Sequence, residues 1–214
     1  MSNTDGTDSR QIIGQLPVAG APALSADGAM LAYTLELPGP DRKTDIVVSS
    51  ADGSNAKQLT HTGDSIGATY SPDGRRLAFN RLSPSSSGSS AFDIFVMDSD
   101  GSSERQLTHT GDSAAAAYSP DGSKIVFYRG SWDGKRSDIF VMNADGGNIR
   151  QITNTGDSGG AVFSPDGTKL AFMRHGNGSS YAVCVMDIDG GNVRQLIATV
   201  NKNISRVGWG ALPA

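Results

Sequence analysis

The sequence has a single cysteine, Cys184, and no long apolar run. A lone thiol cannot form a disulfide within the chain, and because Cys184 stands where two other repeats carry a phenylalanine, we expect it to be buried and inert. No stretch approaches the roughly 18–20 apolar residues that a membrane helix requires. The first ten residues are polar, so the chain shows no signal peptide. The sequence therefore predicts no membrane span.

Excess positive charge is also missing. The chain carries 18 Lys and Arg against 22 Asp and Glu, a net charge of −4, with no basic run that could bind a phosphate backbone. No segment repeats apolar residues at the 3.6-residue spacing of an amphipathic helix, which argues against helical repeat folds. These absences predict a protein that does not bind nucleic acid and is not helical.

One four-residue phrase, Ser-Pro-Asp-Gly or Ser-Ala-Asp-Gly, occurs four times, every 45–48 residues. The copies begin at Ser25, Ser71, Ser119 and Ser164. Each copy precedes a short apolar strand pattern, such as Ile125-Val126-Phe127 in the third repeat. Self-similarity at this period is typical of a solenoid, a propeller or an array.

Each repeat predicts four short strands. In the third repeat a small-residue segment, 114–118, leads into the Ser-Pro-Asp-Gly turn. Strands at 124–129, 138–142 and 149–153 follow, and the last two are joined by an Asp-Gly hairpin turn. Four antiparallel strands in a repeat of this length form a propeller blade. The fold class is therefore all-β, a β-propeller of four-stranded antiparallel blades, with four full repeats plus unmatched terminal strands.

We expect one propeller domain over residues 10–210, with a disordered polar tail at 1–9 and a short tail at 211–214. The predicted blades cover about 19–60, 66–108, 114–153 and 159–197.

These motifs resemble the TolB-like β-propeller repeat. The resemblance rests on Phe163-Ser164-Pro165-Asp166-Gly167, Asp93-Ile94-Phe95-Val96-Met97 and Arg105-Gln106-Leu107-Thr108, and it covers about residues 10–210. It implies protein-binding roles in the bacterial cell envelope, hence a periplasmic or secreted location, although some related propellers are lyases or lactonases.

The repeat count departs from TolB, which has six blades behind a small α/β domain. Residues 11–13 match a fourth strand without a blade before it, and 205–209 match a first strand without a blade after it. Three assemblies stay open: a four-bladed ring, a half-ring whose homodimer completes a larger ring, and a piece of a larger ring.

Loop lengths select a candidate binding face. Only the segment between the second and third strands, the b–c loop, changes length between repeats, and loops on a rigid scaffold carry function. Because strands alternate in direction, these loops share a face with the connections between blades. We call it the loop face and predict that it binds a protein or peptide. The candidate residues are Trp132, Arg129, Lys135, Arg136 and His175.

The loop face also carries a recurring Thr-Gly-Asp-Ser segment, whose aspartates are Asp64, Asp112 and Asp157. Each aspartate opens an innermost strand, so the three are expected around the mouth of the central channel. Together they could hold Ca²⁺ or Mg²⁺ through oxygen ligands, or each could instead bond local backbone N–H groups. No other cofactor is indicated.

The preferred function is a non-enzymatic scaffold for a protein or peptide. Two alternatives remain: a cation-dependent enzyme for a small ligand or carbohydrate at the channel mouth, and a propeller fragment or engineered ring without a ligand of its own, which could assemble as a homo-oligomer.

Overall fold

In the computed structural model, 16 strands form four sheets of four. The structure describes residues 18–83, 91–130, 136–176, 180–199 and 208–209. Within these residues there is no helix, and hence none able to cross a membrane. The predicted tails at 1–9 and 211–214 lie outside the described residues, and the limits of the domain stay a prediction.

The strands of each blade follow chain order, and every neighbouring pair is antiparallel. The first blade contains β1 (Val18–Leu24), β2 (Met30–Glu36), β3 (Thr44–Ser50) and β4 (Lys57–Gln58). The second contains β5 (Ser65–Tyr70), β6 (Arg76–Ser83), β7 (Ala91–Asp98) and β8 (Arg105–Gln106). The third contains β9 (Ser113–Tyr118), β10 (Lys124–Gly130), β11 (Ser137–Asn143) and β12 (Arg150–Gln151). The fourth contains β13 (Ser158–Phe163), β14 (Lys169–His175), β15 (Tyr181–Asp187) and β16 (Arg194–Thr199). The all-β propeller prediction is confirmed.

The turn between the first and second strands is held by its own side chains. In the third blade the Gly122 N–H donates to the Ser119 carbonyl at 2.9 Å. The Asp121 carboxylate accepts the Ser119 hydroxyl at 2.5 Å and the Ser123 N–H at 3.0 Å. These bonds, with that of Ser119 the strongest, lower the pKa of Asp121 to about 2. The repeated phrase is therefore a self-contained turn.

Apolar side chains fill the space between neighbouring blades. Successive side chains of the second and third strands point to opposite faces of the blade. In β6, Leu77 and Phe79 therefore face the first blade, while Ala78 faces the third. The same pattern joins the third blade to the fourth, where Phe172 and Cys184 are buried. Cys184 is 1% exposed, as predicted, and burial raises the pKa of its thiol. Three interblade cores result, and they hold the sheets side by side.

The four blades form an open arc. Strands of each blade pack on the next, but the fourth and first blades have no comparable strand packing among the described residues. Trp209 lies at the open end, 39% exposed, and its indole N–H donates to the Val162 carbonyl of β13 at 3.4 Å. Trp209 therefore contacts an innermost strand without being part of a strand itself, and it is not enclosed in a core.

Each innermost strand contains a bulge at one residue with positive φ. That residue is Gly67 in the second blade, Ala115 in the third and Gly160 in the fourth. In the first blade the bulge shifts the pairing so that Val18 lies opposite Leu35. Ser65 holds this position in the second blade, opposite Arg81. Val18 thus corresponds to Ser65, although counting back from the Ser-x-Asp-Gly turns of the two repeats aligns Val18 with Asp64.

Candidate functional site

The b–c loops and the connections between blades meet at one face, as predicted. The Leu82, Gly130 and His175 N–H groups, each at or next to the end of a second strand, donate to the carbonyls of Asp64, Asp112 and Asp157 at 3.0, 2.9 and 2.7 Å. These backbone bonds tie the start of the b–c loop to the segment that opens the innermost strand in the second, third and fourth blades.

Three of the five predicted binding residues lie among the described residues. Arg129 is near the end of β10, and the exposed Arg136 precedes β11, so both stand at the base of the third blade's b–c loop. His175 ends β14 in the next blade, with its ring centroid 4.9 Å from that of Tyr181. Trp132 and Lys135 lie outside the described residues.

Each aspartate of the Thr-Gly-Asp-Ser segments is paired with an arginine. The Arg81, Arg129 and Arg174 Nε atoms lie 3.3, 3.3 and 3.4 Å from the carboxylates of Asp64, Asp112 and Asp157, respectively. The threonine two residues before each aspartate donates its hydroxyl to the same carboxylate oxygen. Each carboxylate thus has a cation and a hydrogen-bond donor within its own blade.

This pairing bears on the predicted cation site. Among the described residues, no group of three or more His, Cys, Asp or Glu side chains is arranged to hold a metal ion. A cation at Asp64, Asp112 and Asp157 would have to compete with three arginines for their oxygens. The calcium or magnesium site stays a prediction, and no chemical step is derived through it.

The three arginines lie over aromatic rings. The Arg81 guanidinium carbon lies 4.8 Å from the centroid of the Phe95 ring, and that of Arg129 lies 4.8 Å from the Phe140 ring. Arg174 lies 5.9 Å from the Phe172 ring. Sequence reasoning selected Arg129 but missed the other two, although an arginine follows the central aromatic of the second strand by two residues in the second, third and fourth repeats.

The three arginines differ at their outer ends. Both terminal nitrogens of Arg81 bind Glu104, one of them at 2.7 Å. Ile149 and Val193 occupy the Glu104 position in the third and fourth repeats. Among the described residues the terminal nitrogens of Arg129 and Arg174 consequently have no carboxylate partner. The side chains of Arg129 and Arg174 are 23% and 33% exposed, so these nitrogens are available to an acidic group.

A buried polar cluster keeps these segments in place. Asp93, 2% exposed, accepts the Thr108 hydroxyl at 2.8 Å and the Thr110 and Gly111 N–H groups at 3.1 Å. Thr108 in turn accepts the Ile94 N–H at 2.9 Å. Two further pairs repeat this pattern, Asp45–Thr60 and Asp138–Thr153. We call the three pairs the Asp–Thr clamps.

Each clamp joins the third strand to the end of the fourth strand and to the next blade's Thr-Gly-Asp-Ser segment. It therefore fixes the loop face as part of a rigid scaffold. Sequence reasoning missed the clamps, although one signal was present: the fourth repeat loses the aspartate and the threonine together, with Ala182 and Ile197 in their places.

The family model described as the TolB β-propeller domain matches residues 1–206. A protein assigned as TolB from Agrobacterium tumefaciens is 28% identical, with a TM-score of 0.74, over 86% of this chain and 67% of that one. TolB from Acinetobacter baumannii is 23% identical, with a TM-score of 0.75, over 92% of this chain and 48% of that one.

A third solved structure, an oligogalacturonate lyase in complex with manganese, is 13% identical, with a TM-score of 0.67, over 91% of this chain and 57% of that one. At this identity the likeness shows the fold alone. No curated protein matches the sequence. The chain thus spans two thirds of one TolB structure and about half of the other.

Proposed function

Because the chain belongs to the TolB β-propeller domain family, we propose that it is a non-enzymatic scaffold that binds a protein or peptide through its loop face. The observation that supports this most is the pair of partly exposed arginines, Arg129 and Arg174. The Nε atom of each lies within 3.4 Å of an aspartate carboxylate, and the outer nitrogens have no carboxylate partner among the described residues.

The chemistry of this face favours an acidic partner segment. A guanidinium offers several N–H donors in a planar fork that matches a carboxylate. Stacking on Phe140 and the ion pair with Asp112 hold Arg129 in place before a ligand arrives, so little side-chain freedom is lost on binding. Arg136, with Trp132 and Lys135 in the same b–c loop, would extend the contact.

A displayed library of random peptides, selected on the whole chain, tests this proposal. We expect selected peptides to be rich in Asp and Glu. Their affinity, measured by fluorescence anisotropy, should fall about tenfold in Arg129→Ala. A separate variant, Arg136→Ala, should also weaken binding about tenfold.

Arg105→Ala is the matched control, because Arg105 lies on an outer strand and donates to the Asp145 carbonyl at 2.7 Å. The proposal fails if Arg105→Ala weakens binding as much as Arg129→Ala, or if neither loop-face variant changes the affinity. Thermal melts of each variant separate lost binding from lost folding.

Three finer predictions belong with this proposal: the cell-envelope location, the homodimer that completes a larger ring, and a cation at Asp64, Asp112 and Asp157. Titration calorimetry with Ca²⁺, Mg²⁺ and Mn²⁺ tests the cation. Heat that disappears in Asp112→Asn would favour the enzyme alternative, and the absence of heat would count against it.

A further inference from the structure

The fourth strand of the last blade differs from the other three. β4, β8 and β12 contain two residues each, and the chain then leaves the sheet. β16 continues for six residues, from Arg194 to Thr199, and pairs with β15 as far as Tyr181.

The missing Asp–Thr clamp explains the longer strand. In the third blade the Thr153 hydroxyl accepts the Ile139 N–H, so a side chain occupies a backbone donor of the third strand and the fourth strand ends. Ile197 has no hydroxyl and Ala182 has no carboxylate, so nothing competes for these backbone groups. The ladder therefore continues, and Ile197 pairs with Val183.

The extended strand presents an apolar edge. Leu196 is 48% exposed and Ile197 is 53% exposed, whereas Leu107, the counterpart of Leu196 in the second blade, is 6% exposed. Residues 195–199 carry no charge, proline or glycine. Among the described residues β16 pairs on one side only, with β15. Such an edge is prone to pair with another strand.

We propose that β16 is a self-association edge, where a second copy of this chain adds its own β16 antiparallel to the first. Two four-stranded sheets would then become one continuous eight-stranded sheet, extending the hydrogen-bond ladder that already joins β13 to β16.

The strand suits a two-fold arrangement. Antiparallel pairing centred on Ile197 places Ile197 opposite its own symmetry mate and Leu196 opposite Ala198, and it leaves Arg194 beyond the paired residues, so no like charges meet. An isologous interface of this kind needs only one surface and closes at the dimer.

The other open end of the arc is a poorer partner for β16. Leu31, Tyr33 and Val47 form the apolar face of the first blade that points away from the second blade, and they are 6%, 3% and 4% exposed. Since these side chains are already buried, docking Leu196 against them would remove little apolar surface from water. The two-fold edge therefore fits a second copy better than head-to-tail ring completion does.

Sedimentation velocity on the whole chain tests the edge. We expect a concentration-dependent dimer whose dissociation constant rises about 100-fold or more in Ile197→Lys, because the charge would be placed against its own symmetry mate. Val193→Lys is the matched control: Val193 is apolar and 46% exposed but precedes the strand. A wild-type chain that stays monomeric up to about 100 μM, or equal weakening in both variants, overturns the proposal.

Disulfide trapping locates the axis. Single cysteines at Gln195, Leu196 and Ile197 test the register: Ile197→Cys should give the most cross-linked dimer on mild oxidation, because it lies on the two-fold axis, and Gln195→Cys the least. Cys184 is 1% exposed and does not compete. Ala51 lies in the turn that follows β3 of the first blade. If single variants fail to cross-link, while Leu196→Cys mixed with Ala51→Cys forms a heterodimer, the dimer is head-to-tail and the two-fold edge is wrong.

Discussion

The third and fourth blades share a turn, a core pattern and a loop-face arginine, yet their outer strands end differently. In the third blade Asp138 and Thr153 form a clamp that stops β12 after two residues. In the fourth blade Ala182 and Ile197 occupy these positions, and β16 is six residues long. From this comparison we expect two polar side chains to decide how many residues the outer strand of a blade contains.

The largest effect is expected when an internal blade is made to resemble the fourth. Asp93→Ala leaves the Thr108 hydroxyl and two backbone N–H groups without their buried acceptor. We expect a loss of about 3–5 kcal/mol in the free energy of unfolding, measured by urea denaturation. Asp145→Ala is the control, since Asp145 is exposed and its carboxylate accepts the Gly147 N–H, so less than ~1 kcal/mol should be lost. Equal losses would show that the clamps do not stabilise the fold.

The reverse change builds a clamp into the fourth blade. Ala182→Asp alone adds a carboxylate without its hydroxyl partner and should cost about 1–2 kcal/mol. Adding Ile197→Thr should restore about 1 kcal/mol, the coupling energy of the pair in a double-mutant cycle. In the double variant the amides of residues 197–199 should exchange faster with deuterium, because β16 would end earlier. Additive effects and unchanged exchange would mean that these two residues do not set the strand length.

A smaller change in stability is expected at the bulge of the innermost strand, where the third blade has an alanine and its neighbours have a glycine. Ala115 has a φ of 55°, where the second and fourth blades have Gly67 and Gly160. A Cβ is strained in this conformation, so Ala115→Gly should raise the free energy of unfolding by about 0.5–1 kcal/mol. Ala116→Gly, at a buried position with ordinary φ, should lower it by a similar amount. A lower melting temperature for both variants would contradict this.

The smallest effect concerns a feature that both blades keep. Asp121 and Asp166 each accept a serine hydroxyl in the same turn, which lowers the pKa of both to about 2 from 3.8. A depressed folded-state pKa contributes stability above pH about 4, which is lost as the pH falls to about 2. In Asp121→Asn and in Asp166→Asn, the free energy of unfolding should depend slightly less on pH between about 4 and 2, by the same small amount in each variant. Urea titrations at several pH values measure this. A difference between the two variants would show that the open end of the arc disturbs the turn.

Much of the fold was predictable because it is encoded locally and repeated. The Ser-Pro-Asp-Gly turn uses only residues within a few positions, and alternating apolar residues in Leu170-Ala171-Phe172 mark the two faces of a buried strand. The positions of Arg129 and Asp112 on the loop face followed from strand direction. Their pairing did not follow, since Asp112 precedes β9 and Arg129 lies in β10, and only the register of these two strands brings them together.

By itself, the sequence determined the four-stranded unit, its number of copies and the side on which the variable loops lie, because each depends on neighbours along the chain. Only the tertiary structure decided that the arc is open and that the loop-face aspartates are paired with arginines. It also decided that β16 is longer than the outer strands of the other three blades. These features depend on which distant side chains meet across a sheet, and the bulges and clamps that bring them together are set by packing rather than by sequence spacing.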